Sequence, residues 1–311
     1  MRIKNAFKLL ISNSAVIYKS MFFKLVISSI IALISYFVIA KDIGYLLHSE
    51  EVLNLWDAIR STASKFFAGQ GFDKELVPDA FDGVLAMLRL NALDIFVAFL
   101  KICLFIFLLN LIERMGNYAI GVLTDAYMSA LTKYSMVAIL IANLGKAFLY
   151  SIIIVPIVMI FDGVVLTLGI LIAVYGLRLI SVFAIILGIM FIVIALSCKF
   201  TLLTRFLPFI ITDKLPIRKA FTSCFKKREG FLHMVGNYAF VIMISFYLNV
   251  SVAVFTLGVG LIISIPLTSV FVVLVGFVDH YQLSGKRYYV SGGEVITPRQ
   301  MRKHADLLKY M

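Results

Sequence analysis

Charged residues, cysteines and the signatures of catalysis are all scarce in this sequence. Only 15% of its 311 residues are charged. It has no P-loop, no G-x-S-x-G, no H-E-x-x-H and no dinucleotide-binding glycine pattern after a strand. The four histidines lie in different segments and share no short metal-ligand spacing: His48, His233, His280 and His304. These absences argue against an enzyme, and we expect no catalytic residue, no metal site and no cofactor.

The three cysteines do not indicate a disulfide framework. Cys103 and Cys198 fall in apolar runs, and Cys224 falls in a basic stretch. We interpret all three as small apolar residues in a reducing or lipid environment.

Apolar residues, by contrast, are in large excess. They make up 62% of the chain, and the mean hydropathy is +1.01, well above the values of soluble domains. Runs long enough to cross a bilayer of about 30 Å recur along the sequence. The composition therefore predicts an all-α, polytopic membrane protein that forms a single membrane domain over residues 1–311.

Six transmembrane helices are predicted from the apolar runs. Spans three and five are short, and we expect them to merge into glycine-bearing outer connectors at residues 162–179 and 249–260. The two prolines within spans, Pro156 and Pro266, either kink those helices and open cavities or are tolerated breaks. The predicted spans cover residues 22–40, 95–112, 147–161, 180–197, 231–248 and 261–278.

The distribution of charge predicts the orientation. The formal net charge of +12 is compatible with nucleic acid, but the segments between spans alternate in charge, as expected at a membrane surface. Residues 1–21, 113–146, 199–230 and 283–311 hold 21 of the 29 Lys and Arg residues and only six of the 17 acids. Both termini are therefore predicted to be cytoplasmic, in a multi-pass protein of a bacterial inner membrane.

Three polar segments outside the spans have predicted structures. Residues 1–21 are predicted to form an interfacial helix, and residues 283–311 a cytoplasmic tail with a helix start at residues 297–300. Residues 41–94 are predicted to form an extracytoplasmic helical hairpin that packs on the bundle mouth or on the lipid surface. Ser49 caps its first helix, whose apolar stripe comprises Val52, Leu55, Trp56, Ile59, Ala63, Phe66 and Phe67.

The most basic stretch, residues 205–230, is predicted to be an elbow helix, meaning a short amphipathic helix in the cytoplasmic interface before a span. Basic side chains close to an anionic surface each contribute about 1 kcal/mol to binding. We therefore expect contact with anionic lipid of the cytoplasmic leaflet from five residues: Arg218, Lys219, Lys226, Lys227 and Arg228.

Short echoes of this stretch predict an internal repeat. The sequence at residues 217–221 resembles residues 3–7 and, more faintly, residues 127–131, and residues 167–169 match residues 256–258. These matches favour three copies of a unit made of an elbow helix and a hairpin of two spans. The alternative is that five-residue echoes arise by chance in an apolar chain.

The same stretch also carries a family resemblance. Arg205, the sequence PFIITD at residues 208–213, AFTS at residues 220–223 and the later Asp279 and Tyr281 resemble bacterial polytopic proteins of the YciC-like kind. They also resemble the membrane domain associated with some glycerophosphodiester phosphodiesterases. The resemblance covers mainly residues 200–285 and implies a helical membrane protein. The soluble phosphodiesterase domain has no counterpart in the sequence, so the resemblance implies no hydrolase activity.

Charges near or within spans are the sharper candidates for a site, because each is costly unless it is paired or near water. Lys101 either contacts an anion or a lipid headgroup, pairs with Asp94 or Asp162, or reaches the outer interface. Lys24 is interpreted as snorkelling to the inner interface.

Three further charges form a predicted interfacial network with Lys101: Arg205, Asp213 and Asp279. Asp279 is expected to form a salt bridge to the basic elbow. Asp213 and Asp125 either organise a cytoplasmic charge network or simply cap their elbow helices.

Three functional classes remain open from the sequence. The first is a non-enzymatic membrane component, either a lipid-interacting scaffold or the membrane subunit of a larger assembly. The alternative is a transporter or permease for a small molecule or lipid, and the third class is a membrane-embedded enzyme acting on lipid. The expected partners are anionic membrane lipids and a protein partner or a second copy of the chain, but no nucleic acid.

Overall fold

Long apolar helices dominate the computed structural model, which describes residues 2–68, 75–90, 92–180, 183–226 and 231–297. Within these residues the chain forms twelve α-helices and one hairpin of two strands. The helices are α1 (Arg2–Ser12), α2 (Ala15–Leu47), α3 (Glu50–Phe67), α4 (Leu76–Leu90), α5 (Ala92–Ala130), α6 (Met136–Ala142), α7 (Leu144–Ile180), α8 (Phe183–Leu203), α9 (Phe206–Ile211), α10 (Ile217–Cys224), α11 (Phe231–Phe255) and α12 (Leu261–Leu283).

Six segments of these helices are long and apolar enough to cross a membrane, among the residues that the structure describes. Because a bilayer core needs about 20 apolar residues per helix, the predicted all-α, polytopic membrane architecture is confirmed at this level. The six segments are Ala15–Val38, Phe96–Ala130, Leu144–Gly176, Phe183–Ile211, Phe231–Phe255 and Leu261–Leu283.

The predicted outer connectors are wrong. Residues 162–179 continue α7 as regular helix, and α11 runs on to Phe255, so that only residues 256–260 form a turn. Gly169 lies within the regular helix α7. Its lack of a side chain lets α7 approach α8 closely. A Cβ at Gly169 would lie 2.4 Å from Cγ1 of Ile192. Gly258, its counterpart in the predicted repeat, instead has a φ of +89° in the turn.

A short helix precedes each pair of long helices. α1 comes before α2 and α5, α6 before α7 and α8, and α10 before α11 and α12. The first and third echoes lie in α1 and α10, but the middle echo at residues 127–131 lies at the end of α5 instead. The chain leaves α5 at Leu131, whose φ is 56°. The short helix before the second pair is therefore α6, which the echoes did not locate.

The segment between α2 and α5 contains the predicted pair of helices. α3 and α4 pack on each other through Ala58 and Val77, with Leu55, Leu76 and Ala80 around them. Ser49 occupies the N-cap position of α3 in an extended conformation, but its side chain makes no capping hydrogen bond.

The segment after α12 contains a hairpin that the sequence did not predict. Strands β1 (Tyr288–Ser291) and β2 (Glu294–Ile296) pair antiparallel, with Tyr288 opposite Ile296. Tyr288 and Val290 are fully buried, because the inward face of this short ribbon packs on α1 and α12. A helix start is predicted at residues 297–300. Of these residues only Thr297 is described, and the others lie outside the described residues.

The chain divides into two compact units. Unit 1 comprises Met1–Ile27, Leu111–Val155 and Leu196–Met311, and unit 2 comprises Ser28–Asn110 and Pro156–Ala195. α11 and α12 belong wholly to unit 1, whereas α3 and α4 belong wholly to unit 2. The large buried side chains of unit 1 include Ile120, Phe206, Val241, Phe277 and Tyr288.

Candidate functional site

The last turn of α12 carries four consecutive polar residues, of which three are almost completely buried. Asp279, His280 and Tyr281 are each no more than 3% exposed, and Gln282 follows them. Successive helical residues point about 100° apart, so these side chains leave α12 in different directions. Because buried polar groups require partners, each one needs a different neighbouring segment. We call these residues and their partners the α12 cluster.

Asp279 lies between two arginines from distant parts of the chain. Nε and Nη2 of Arg205 both donate to its Oδ2, at 3.0 and 2.7 Å, and Nη1 of Arg2 donates to its Oδ1. The Asp279 and Arg205 side chains are only 4% and 7% exposed. One carboxylate therefore joins α1, the junction of α8 with α9, and α12. The three residues together carry a net charge of +1.

His280 contacts the chain just after α9. Its Nε2 lies 3.2 Å from Oδ2 of Asp213, and Lys286 Nζ donates to Oδ1 of the same carboxylate at 2.6 Å. The ring of Phe209 stands edge-on to the imidazole at 5.1 Å. Partial burial raises the pKa of Asp213, but the hydrogen bonds and charges of Lys286 and His280 outweigh it. The pKa therefore lies below its ordinary value.

Tyr281 binds α5 through Asp125. The tyrosine hydroxyl donates to Oδ1 of Asp125 at 2.8 Å, and the hydroxyl of Thr212 donates to the same oxygen at 2.6 Å. Asp125 thus ties α12 and the end of α9 to α5, and it does not cap an elbow helix. Asp213 does not cap α10 either, since Pro216 occupies the N-cap position and makes no side-chain cap.

Gln282 completes the α12 cluster through the β-hairpin. Its side-chain amide donates to the hydroxyl of Tyr288 at 2.8 Å, and the amide of Asn5 in α1 donates to the same hydroxyl at 2.8 Å. Burial raises the pKa of Tyr288, and these two hydrogen bonds partly offset the rise. At the edge of this contact, Lys8 of α1 pairs with Glu294 of β2 at 2.8 Å.

A second polar contact in unit 1 lies inside the candidate spans. Lys24 of α2 donates to Glu113 of α5 at 3.2 Å and to Ser269 of α12 at 2.8 Å. Ser269 in turn lies 3.5 Å from the side-chain oxygen of Asn117. Ser269 is ten residues before Asp279, or about 15 Å along the helix. Lys24, which is predicted to snorkel to the inner interface, has partners on two neighbouring helices.

The structure brings together three of the four residues predicted to form a charge network. Arg205 and Asp279 form a direct ion pair, and Asp213 contacts the residue next to Asp279. Lys101 lies on α5 within unit 2. Of the predicted lipid contacts, Arg218, Lys219 and Lys226 are exposed. Lys227 and Arg228 lie outside the described residues.

Sequence reasoning missed the partners that close the α12 cluster: Arg2, Asn5, Lys286 and Tyr288. The signal for a cluster was present, because an Asp-His-Tyr-Gln run directly after an apolar span must satisfy several polar groups at once. No sequence pattern indicated which residues would be the partners. Arg2 and Asp279 are 277 residues apart, and no periodicity relates them.

A small cleft adjoins the α12 cluster. The cleft beside Arg2 and Asp279 is lined by Met234, Asn237 and Tyr238 and has a volume of about 10 Å³. That is room for about one water molecule, whereas ligand pockets typically measure about 300–1,000 Å³. Within the described residues there is no group of three or more His, Cys, Asp or Glu side chains that could hold a metal ion. The contacts of the α12 cluster join α1, α5, α9, α12 and the β-hairpin.

Comparison with known proteins yields no relative: no protein-family model, no curated protein and no solved structure matches the chain.

Proposed function

We propose that this integral membrane protein is a non-enzymatic, lipid-interacting scaffold or the membrane subunit of a larger assembly. The six apolar helices account for its insertion in the membrane. The carrying observation is the arrangement of α10, which holds basic side chains at the surface while its other face is packed against the protein.

The two faces of α10 differ sharply. Ala220 and Cys224 are completely buried, and the ring of Phe221 packs edge-on against Phe206 of α9 at 5.6 Å. Arg218 and Lys219 point the other way and are exposed. Apolar contacts anchor α10 to the protein, and its basic side chains remain exposed on the opposite face. Contact with anionic headgroups requires basic side chains that are exposed in this way.

The α12 cluster supports this proposal because it fixes the chain on both sides of α9, directly before α10. Arg205 precedes α9 and is bound to Asp279, while Thr212 and Asp213 follow it and are bound to Asp125 and Lys286. The charges of the cluster are thus used internally, and those of α10 remain available. The proposed surface faces the cytoplasmic leaflet of a bacterial inner membrane, as the positive-inside distribution predicts.

Two finer proposals accompany this function. The order of one short helix before each pair of long helices supports a threefold elbow-and-hairpin repeat. The motifs at residues 205–223 support membership of the YciC-like group, with a helical membrane domain and no hydrolase activity.

Lipid retention measures the proposed contact. Purified protein in mild detergent is mixed with phosphatidylglycerol or phosphatidylcholine, and bound lipid is counted by native mass spectrometry. Loss of two cations at about 1 kcal/mol each corresponds to roughly a tenfold or larger loss of affinity. We therefore expect Arg218→Gln with Lys219→Gln to lose phosphatidylglycerol and to leave phosphatidylcholine binding unchanged.

The matched control removes the same charge from the hairpin of α3 and α4, as Lys65→Gln on α3 with Arg89→Gln on α4. This double variant is expected to retain phosphatidylglycerol at the wild-type level. Equal retention by the α10 double variant and the wild type would contradict the proposed lipid contact.

The transport alternative has one specific observation in its favour. The ion pair of Lys24 and Glu113, with Ser269 beside it, lies within candidate spans, where charged residues are costly and often functional. Flux of fluorescent lipid and of small solutes into proteoliposomes tests this reading. Protein-dependent flux that disappears in Lys24→Ala, with folding intact, would favour transport over the scaffold. Absence of flux, together with unchanged growth of a Lys101→Ala strain, would exclude it.

A further inference from the structure

α3 has two apolar faces, one that packs on α4 and one that is exposed. The first face packs on α4: Ala58 and Thr62 are buried, and Leu55 is partly buried beside them. Positions 55, 58 and 62 are spaced as one helical stripe. The predicted single stripe of α3 is therefore split between an interior face and an exterior one.

The exterior face is large and aromatic. Its side chains are exposed at Leu53 (47%), Trp56 (65%), Ile59 (43%) and Phe66 (53%). Scattered apolar residues at a surface need no explanation, but four on one arc of a single helix form a contact surface. Trp56 is also the only tryptophan in the chain. We call these four residues the outer face of α3.

The position of α3 in the chain restricts what can cover this face. Only His48 and Ser49 separate α3 from α2, and one residue separates the end of α4 from α5. Both α2 and α5 contain candidate spans. The hairpin is therefore tethered at both ends to helices that cross the bilayer, and it stays close to a membrane boundary.

α4 fixes the hairpin to a third helix with such a span. The hydroxyl of Tyr175 in α7 donates to Asp82 of α4 at 2.8 Å, and the ring of Phe81 stands edge-on to Tyr175 at 6.1 Å. α4 thus provides a protein contact of the hairpin, and the outer face of α3 is exposed beside the contact of α3 with α4.

We propose that the outer face of α3 lies in the headgroup region of the bilayer, so that α3 is an interfacial helix whose partner is the lipid surface itself. A tryptophan flanked by leucine, isoleucine and phenylalanine, opposite a polar face, is the composition of such helices. α3 contains three acids and two basic residues, so apolar burial drives the contact and anionic lipid is not needed. This separates the proposal from the cationic surface of α10.

The single tryptophan gives a direct test. Wild-type protein is placed in nanodiscs of phosphatidylcholine whose acyl chains are brominated either near the glycerol end or near the methyl end. We expect blue-shifted emission that loses most of its intensity with lipid brominated near the glycerol end and less with the other. Acrylamide in the water should quench it weakly. Adding phosphatidylglycerol should change none of these results.

A matched variant moves the reporter to the polar face. Asn54 is exposed and lies about 160° from Trp56 around the helix, at 100° per residue. Trp56→Phe with Asn54→Trp should therefore emit at longer wavelength, be quenched by acrylamide and be little affected by brominated lipid. Far-ultraviolet circular dichroism confirms that both proteins are folded alike.

Two results would overturn the proposal. If acrylamide, and not brominated lipid, quenches wild-type Trp56, the face is in water. If neither reagent quenches a blue-shifted Trp56, the face is buried against protein, such as a second copy of the chain.

Discussion

The end of α12 in unit 1 and the contact of α7 with α8 in unit 2 are held together by different means. In unit 1, the end of α12 is tied to its neighbours by buried charges, with Asp279 between two arginines and Asp125 between two hydroxyl groups. In unit 2, α7 and α8 meet through residues that have almost no side chain. A Cβ at Gly188 would lie 2.7 Å from the backbone oxygen of Gly169, and one at Gly176 would lie 2.6 Å from Cβ of Ala184.

The contrast follows from the solvent in which each contact forms. Lipid chains are as apolar as the side chains they meet, so helices in a bilayer associate through close packing or through polar contacts. Buried charges are tolerable where each has a partner of opposite sign, as Arg205 and Asp279 have at the end of α12. The contact of α7 with α8 instead depends on shape. The stability of unit 1 should therefore depend on the buried charges at the end of α12. The stability of the contact of α7 with α8 in unit 2 should depend on the volume of the side chains between them.

Removing the shared carboxylate should have the largest effect. Asp279→Asn leaves Arg205 buried without its counter-ion, and breaking a buried ion pair from one side costs about 3–5 kcal/mol. We expect a loss of this size in the free energy of unfolding, measured in mixed detergent and SDS micelles.

The control is Glu294→Gln, whose ion pair with Lys8 is 41% exposed on both sides. Exposed pairs contribute about 1 kcal/mol or less. Similar losses in the two variants would show that burial of Asp279 does not matter.

Adding one methyl group between α7 and α8 comes next. Gly188→Ala places a carbon against the backbone of Gly169, where no flexible side chain can move aside. Overpacking of this kind costs about 1–3 kcal/mol, and thermal unfolding followed by circular dichroism should show a lower Tm.

Gly163→Ala on α7 is the matched substitution, since no atom lies within 4 Å of the added carbon. It should be neutral or stabilising by up to about 1 kcal/mol, because alanine favours a helix over glycine. A tolerated Gly188→Ala would mean that the helices are not held by shape.

The smallest effect is the pH dependence of Asp213. Its pKa is lowered in the folded protein, so the ionised carboxylate contributes stability at pH values above the unfolded pKa of about 3.9. That contribution is lost as the pH falls through the folded value. Asp213→Asn should therefore be less stable than the wild type by about 1 kcal/mol between pH 5 and 8.

The difference should shrink below about pH 4, where the wild-type carboxyl also becomes neutral. Paired thermal melts across this range check the sign. A gap between wild type and variant that widens as the pH falls would contradict the assigned direction of the shift.

The sequence predicted the six apolar helices because span length is a local property of composition. The prediction of a connector at residues 162–179 was wrong, because glycines and Asp162 within an apolar run are also typical of a turn. Only the packing of Gly169 on α8 reveals them as helix. The sequence singled out Arg205, Asp213 and Asp279 as costly charges, since that cost follows from position alone. It could not supply Arg2 or Lys286, because the pairing of residues far apart in sequence is set by tertiary structure.

The β-hairpin escaped prediction for a related reason. Tyr288 and Val290 alternate with less buried residues over only four positions, too few for a strand signal to stand out beside long apolar helices. What stabilises the strand is its contact with α1, which lies at the opposite end of the sequence.

The pairing of α1 with residues 279–294 also sets an order of events during synthesis. A ribosome adds about 5–20 residues per second, so an interval on the order of tens of seconds separates Arg2 from the appearance of Asp279. The spans enter the bilayer in turn during that interval. Throughout it, the polar residues of α1 lack their partners in residues 279–294. Closure of unit 1 is therefore a late step of biogenesis, because α1 cannot dock before residues 279–294 have been made.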